Sequence, residues 1–376
     1  MSEKLFQEFS PASDEAWTEK ILKDLRGRSI EDIAKHRPLE GMDIEVFYTS
    51  KDLADLPKLS LKRDWRIIEN EPFEELTLDD MIYHLVRTGS WLMDEIEDVK
   101  TYLEVFTGEI GTKNLGVDGT AYHEAGASAV FELACILSHL NEYLNLLSEK
   151  NLLDDGLMQK ISVKVAIGPD YFMEIAKLRA LRIILSNLGQ AYGLKADKGI
   201  DVYAVNSLMN YSSVDVNTNI LRATTACMSA VIGGCDHLEI HPHDRLTEGI
   251  HEFGQRIARN LQLMMKHEAH LDKVLDPGAG SYYIETLTRQ IGEKSWAEFK
   301  KIEADGGLIK SFRQGRIQTI IGEMARKRLE EVRLGDQVLI GINKYKLEEG
   351  GEVRLQPEHP EGEFKALRPL IIEEFL

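Results

Sequence analysis

Apolar positions along the chain follow two periods that alternate from about residue 65 onward. Ile161, Val163, Val165 and Ile167 recur at every second position, which predicts a strand over 161–168. Val130, Leu133, Leu137, Leu140, Leu144 and Leu147 recur at threes and fours, which predicts a long amphipathic helix. The same alternation predicts strands over 115–118, 200–207 and 237–242, each followed by a helix. The helical faces are Leu178, Leu181, Leu185, Leu188 and Tyr192, then Ile220, Thr224, Cys227 and Val231, then Ile250, Phe253, Ile257, Leu261 and Met264. One more strand is expected over 65–69, followed by a helical segment from 78 to about 105.

Consecutive strand–helix units imply parallel strands joined by crossover helices, an α/β protein. A β/α barrel fits the repetition best, but a complete one needs eight units and about 250 residues. Only five strands can be counted between Trp65 and His237, so the expectation is an incomplete or modified TIM-type barrel with an extended amino-terminal arm. A doubly wound open sheet is the competing architecture.

The chain divides into an arm at 1–64, a barrel-like domain at 65–345 and an extended tail at 346–376. In the arm, Ser13 can cap a helix with Trp17, Ile21 and Leu25 on one face and Gly27 at its end. The arm cannot form a core of its own and must lie on the body or on a partner. Late in the chain, D-P-G-A-G-S at 276–281 introduces a helix over 282–305. A basic helix with Ile317, Ile321, Met324 and Arg328 then leads to an apolar strand over 338–342.

Charge and composition narrow the function. The 376 residues carry 45 basic and 63 acidic side chains, a formal charge of −18. Such a surface repels phosphate backbones, which excludes nucleic acid as a partner. No uncharged run approaches the ~18 residues of a membrane span and the acidic amino terminus is no signal peptide, so a soluble cytoplasmic protein is expected. Cys135, Cys227 and Cys235 have no metal-ligand spacing and are expected to be buried and reduced.

Three groups of residues invite a chemical reading. Tyr122 and His123 lie at a strand-to-helix junction, where parallel β/α proteins place ligands and catalytic groups, and an imidazole there titrates near neutrality. The bland reading is a corner residue bonded to nearby backbone. His237, His241, His243 and His251 could ligate zinc, but they lack a cysteine at ligand spacing, and a polar strand end is expected instead. The 276–281 loop could offer amides to an anion, but it lacks the phosphate-loop pattern and reads as a helix-starting turn.

Five segments taken together resemble the cobalamin-dependent methylmalonyl-CoA mutase family. They are A-Y-H-E-A-G-A-S (121–128), Y-F-M-E-I-A-K-L-R-A (171–180), I-A-R-N-L-Q (257–262), D-P-G-A-G-S-Y (276–282) and V-L-I-G-I-N-K-Y (338–345). The amino-terminal F-x-E-F-S-P-A-S-D-E-A-W looks like the start of the small subunit of heterodimeric bacterial mutases. The resemblance implies an eight-stranded barrel, a separate cobalamin domain and radical isomerisation of methylmalonyl-CoA to succinyl-CoA. This chain departs from that pattern. Where active subunits carry S-G-Y-H-M-x-E-A-G-A, aligning Glu124 on the motif's glutamate leaves Thr120 and Ala121 at the tyrosine and histidine positions. Tyr122 and His123 then fall one to two places closer to the glutamate, the only fallback catalytic pair if the chain is active. The H-x-Q-T-S-G stretch falls on Tyr203, Val205 and Asn206, and no histidine here has the aspartate of the cobalamin motif D-x-H-x-x-G two places before it. Only about fifty residues separate Trp65 from Leu115, as though the second to fourth barrel strands had been deleted.

The expectation is therefore a catalytically silent small subunit that holds neither cofactor nor metal. Adenosylcobalamin would sit in a large cobalamin-binding partner subunit. The alternatives are a split enzyme that keeps the substrate near Tyr122 and His123, and a CoA-thioester-binding or homodimeric scaffold.

Overall fold

The computed structural model describes residues 13–29, 38–42, 44–45, 47–52, 57–59, 61–62, 64–69, 73, 77–91, 114–195, 199–347 and 362–376. Five strands, β1 (Arg66–Ile68), β2 (Leu115–Asp118), β3 (Ile161–Ile167), β4 (Asp201–Asn206) and β5 (His237–Glu239), pair in parallel in the order β1-β5-β4-β3-β2. From β2 to β5 each strand adds on the same side of the one before. Right-handed crossovers then put every connecting helix on one face, which is the winding of a barrel and not the reversal of a doubly wound sheet. β1 pairs with β5, Arg66 opposite His237 and Ile68 opposite Glu239, as the first stave of a closed barrel meets the last. Among the described residues the sheet is an arc of a β/α barrel, with a gap between β1 and β2.

Residue 77 marks one side of that gap. Thr77 forms a single parallel bridge with Asn114, and the Leu78 amide donates to the Asn114 carbonyl at 2.9 Å. Next comes the helix α2 (Met81–Thr88), following α1 (Asp14–Asp24) of the arm. The carboxylate of Asp80, the α2 N-cap, covers the edge of β2 by accepting from the Asp118 amide at 2.7 Å. The helix expected over 78–105 stops at Thr88, because Gly89 takes a left-handed conformation at φ 73°. Its remainder beyond Trp91 lies outside the described residues.

The two faces of the sheet differ because strand side chains alternate. On one face Leu115, Val117, Ile161, Val163, Val165, Ile167, Val202, Ala204 and Leu238 are buried under helices. Those helices follow the short α3 (Thr120–Glu124) and are α4 (Ala129–Glu149), α5 (Tyr171–Ala191) and α6 (Thr218–Gly233). After α7 (Arg245–Glu248) and α8 (Glu252–His267), α9 (Tyr282–Ala304) lies across α4 and α5. The other face is polar, with Asp118, Lys164, Tyr203 and His237 in register across β2 to β5 and Glu239 opposite Val205. Phe73 packs on Tyr203, 5.0 Å between ring centroids, and lies 5.7 Å from the Lys164 ammonium.

Both flanking segments lie on the body. The arm buries Met42, and Glu40 accepts the Ala129 amide at 3.1 Å. Residues 362–376 cross the sheet at the carboxyl ends of its strands, beyond α10 (Leu308–Arg313) and α11 (Arg316–Leu334). Phe364 and Leu367 donate to Gly89 and Val86, Leu370 to Glu124, and Ile372 to Met209.

Two further expectations are corrected. Residues 338–342 form no strand, because among the described residues no strand runs beside them. They turn around Asn343, whose side chain bonds Leu339, Val332 and Gln337 at 2.7–2.8 Å, with one bridge from Ile340 to Lys344. The apolar stripe predicted for α8 is only in part its buried face: Leu261 of the stripe is buried together with Gly254, Ala258 and Gln262, while Ile250 just before the helix, Phe253 and Met264 are exposed.

Candidate functional site at the mouth of the sheet

Tyr122 and His123 sit side by side on α3, one residue apart on a tight helix, and so they point to different places. Tyr122 is fully buried toward the helices, with its hydroxyl 3.3 Å from His139 Nδ1. His139 Nε2 and the Tyr143 hydroxyl each lie 2.9 Å from Asp80 Oδ1. Burial pushes the Tyr122 phenol well above its ordinary range, so it stays protonated. It belongs to a core network that ties α2, α3 and α4 together.

His123 faces the other way. Its Nδ1 lies 3.2 Å from Glu132 Oε2 on α4, and that oxygen also takes the Lys177 ammonium at 2.9 Å. Lys177, wholly buried, donates to the Ala166 carbonyl at 2.7 Å and pairs with Glu174 at 2.6 Å. Burial would raise the Glu132 carboxyl, but Lys177 and His123 outweigh it and hold the group low and ionised. Burial likewise opposes the Lys177 charge, and its two carboxylates outweigh it. Glu174 is pushed up by burial. With Nδ1 tied to a carboxylate, Nε2 is buried without a partner, and His123 lines a cleft of about 500 Å³. Gly168, Asp170, Asn210, Arg328 and Glu331 form other parts of its wall. Gly168 leaves room for the ring: a Cβ there would meet His123 Cε1 at 3.3 Å.

The other candidates have local partners. His237 stacks on Tyr203 at 3.9 Å and lies 3.8 Å from Asp201, while His243 and His251 approach Asp244 at 3.7 and 2.8 Å. Burial, with Lys164 and Arg245 nearby, drives His241 down to about 3, so it is neutral. Among the described residues no three His, Cys, Asp or Glu side chains are grouped to hold a metal ion. At 276–281 Arg179 joins Asp276 and Glu285, the Gly280 amide bonds Glu285 at 3.0 Å, and Ser281 caps α9. Sequence reasoning missed Glu132, Lys177 and Asp80. The readable signal for Glu132 was a lone charge inside the apolar run 129–137; Lys177, with Glu174 and Arg179 close by in sequence, carried no such mark.

The winding of the arc and the junction after β2 can now be set beside known proteins. Residues 68–367, well over half of the chain, match the family model described as methylmalonyl-CoA mutase. The chain belongs to the methylmalonyl-CoA mutase family. A "methylmalonyl-CoA mutase small subunit" of Porphyromonas gingivalis is 28% identical, covering 91% of this chain and 71% of its own length. That alignment runs over 439 residues, longer than this chain of 376, so the relative carries residues with no counterpart here. A "probable methylmalonyl-CoA mutase small subunit" of Mycobacterium tuberculosis is 34% identical over 70% of this chain and 43% of its own. The "methylmalonyl-CoA mutase large subunit" of Propionibacterium freudenreichii subsp. shermanii is 32% identical over 83% and 44%. This mutase-family chain thus spans less than half the length of the latter two.

The residues present do not fit adenosylcobalamin. The mouth is bridged by residues 370–373, hydrogen-bonded to Glu124, Met209 and Ser212, and among the described residues the unpartnered imidazole nitrogen lining the cleft is that of His123, backed by Glu132. Among the described residues no helix is long and apolar enough to cross a membrane.

Proposed function

We propose that this chain is the non-catalytic small subunit of a heteromeric methylmalonyl-CoA mutase. A large subunit that binds adenosylcobalamin carries the isomerisation of methylmalonyl-CoA to succinyl-CoA. The observation that carries this reading is the state of the mouth. A radical mutase needs its substrate enclosed there, yet among the described residues the strands form an open arc, Tyr122 is turned into the core and the chain's own residues 370–373 lie across the strand ends. The names of the relatives support the subunit assignment. The arm at 1–64, the sheet edges that have no paired strand among the described residues and the exposed Ile250, Phe253 and Met264 give the partner its contact surface. Three buried, unbridged cysteines are in keeping with the cytoplasm.

The purified chain with adenosylcobalamin and methylmalonyl-CoA is expected to form no succinyl-CoA, and to co-purify with the large subunit when both are expressed. Turnover by this chain alone defeats the proposal. The unpartnered His123 Nε2 in the cleft favours one rival, a split enzyme whose substrate lies against this chain. Under the proposal, His123→Ala in the reconstituted complex leaves kcat within about twofold. A loss of tenfold or more with the complex intact establishes the rival, since general acid–base groups contribute about 10²–10⁴.

A further inference from the structure

The loop between β4 and α6 is built more elaborately than a connection requires. Ser212 is fully buried, and its amide donates to Asn219 Oδ1 at 2.9 Å. The Asn219 amide returns bonds to the Ser212 and His243 carbonyls, each at 2.8 Å. Ser212 Oγ accepts from the amides of Val214 at 3.1 Å and Asp215 at 2.9 Å, which leaves its own hydrogen directed away from both. Arg222 is fixed on Asn219 Oδ1 at 2.9 Å.

Three donors from this loop converge on one carboxylate. Ser212 Oγ meets Glu373 Oε1 at 2.6 Å, and the Ser213 amide and hydroxyl each meet Oε2 at 2.6 Å. The Arg222 guanidinium feels the same charge. A preorganised set of hydroxyl and amide donors at the carboxyl end of a parallel strand is what a bound oxyanion requires. The segment carrying Glu373 needs no ion to stay in place, since Leu370, Ile371 and Ile372 are all buried beside it.

We propose that the Ser212–Ser213 loop is a binding site for small carboxylates, which Glu373 fills from within the chain. The tethered carboxylate competes at an effective concentration of millimolar or more, so free carboxylates at lower concentration do not enter. The inference is independent of whether the chain is catalytically silent, because it concerns the loop and not turnover.

Glu373→Ala in the full chain removes the occupant and leaves the donors. Acetate and propionate are expected to raise the Tm of this variant along a saturating curve, with chloride at equal ionic strength inert and the wild type unresponsive. Ser213→Ala added to Glu373→Ala is expected to weaken the acetate midpoint at least tenfold. Should the alanine variant fold poorly, Glu373→Gln keeps the packing, and broadening of ¹³C-acetate by it but not by wild type reads the same site. A folded variant with no saturating response overturns the proposal, as does an equal response to chloride or one unchanged by Ser213→Ala.

Discussion

At the scale of the residue, the most consequential side chain is Lys177, a cation with no exposed surface between Glu132 and Glu174. Its attraction to two carboxylates offsets desolvation, and its loss leaves the buried Glu132 without its ammonium partner, facing only the His123 imidazole. Lys177→Met is expected to cost about 3–5 kcal/mol in urea unfolding. Lys195→Ala, at a 68% exposed lysine beside Asp155, is expected to cost under about 1 kcal/mol. Equal effects would mean the buried network is not a structural unit. The sequence marks Glu132 as a charge inside an apolar run, but 45 basic side chains along the chain could pair with it and 63 acidic ones with Lys177. Only the approach of α4 to α5 selects these two, and it also turns His123 to face them.

Elements are held in register by charges at their starts. Asp201 opens β4, Lys62 of the arm pairs with it at 2.6 Å, and His237 of β5 lies 3.8 Å away. Partial burial would raise the Asp201 carboxyl, but bonds from His237 and Lys62 outweigh it and bring it down to about 2. A carboxyl with a depressed folded value stabilises the fold above its unfolded value near 4, and that contribution is lost as pH falls from about 4 toward 2. The stability gap between wild type and Asp201→Asn is expected to be about 2 kcal/mol at pH 6 and to shrink between pH 4 and 3. A gap independent of pH removes the pair from the account. Strand and helix periods at this scale were legible, since each element buries one repeating face. The end of α2 at Gly89 and the turn at Asn343 were not, because each depends on what lies beside the segment.

For the whole molecule the question is how the edges of an arc of five described strands are covered. Asp80 and Thr77 cover part of the β2 edge, and a net charge of −18 opposes self-association. The outer edge of β1 has no paired strand among the described residues. Binding of the large subunit is expected to slow hydrogen exchange at outward-facing amides of β1 and β2 and leave central β4 unchanged. Protection spread evenly over the sheet, or none, argues that the partner docks elsewhere.

By itself the sequence determined the class of fold, the five strands, their helices and the family, because periodic burial and local motifs are properties of neighbouring residues. Only the tertiary structure decided that β1 closes against β5, that Tyr122 and His123 part company, and that Glu373 reaches back to Ser212 and Ser213. Those outcomes depend on which distant surfaces meet, and a hydrogen bond spanning 160 positions leaves no mark in any local window.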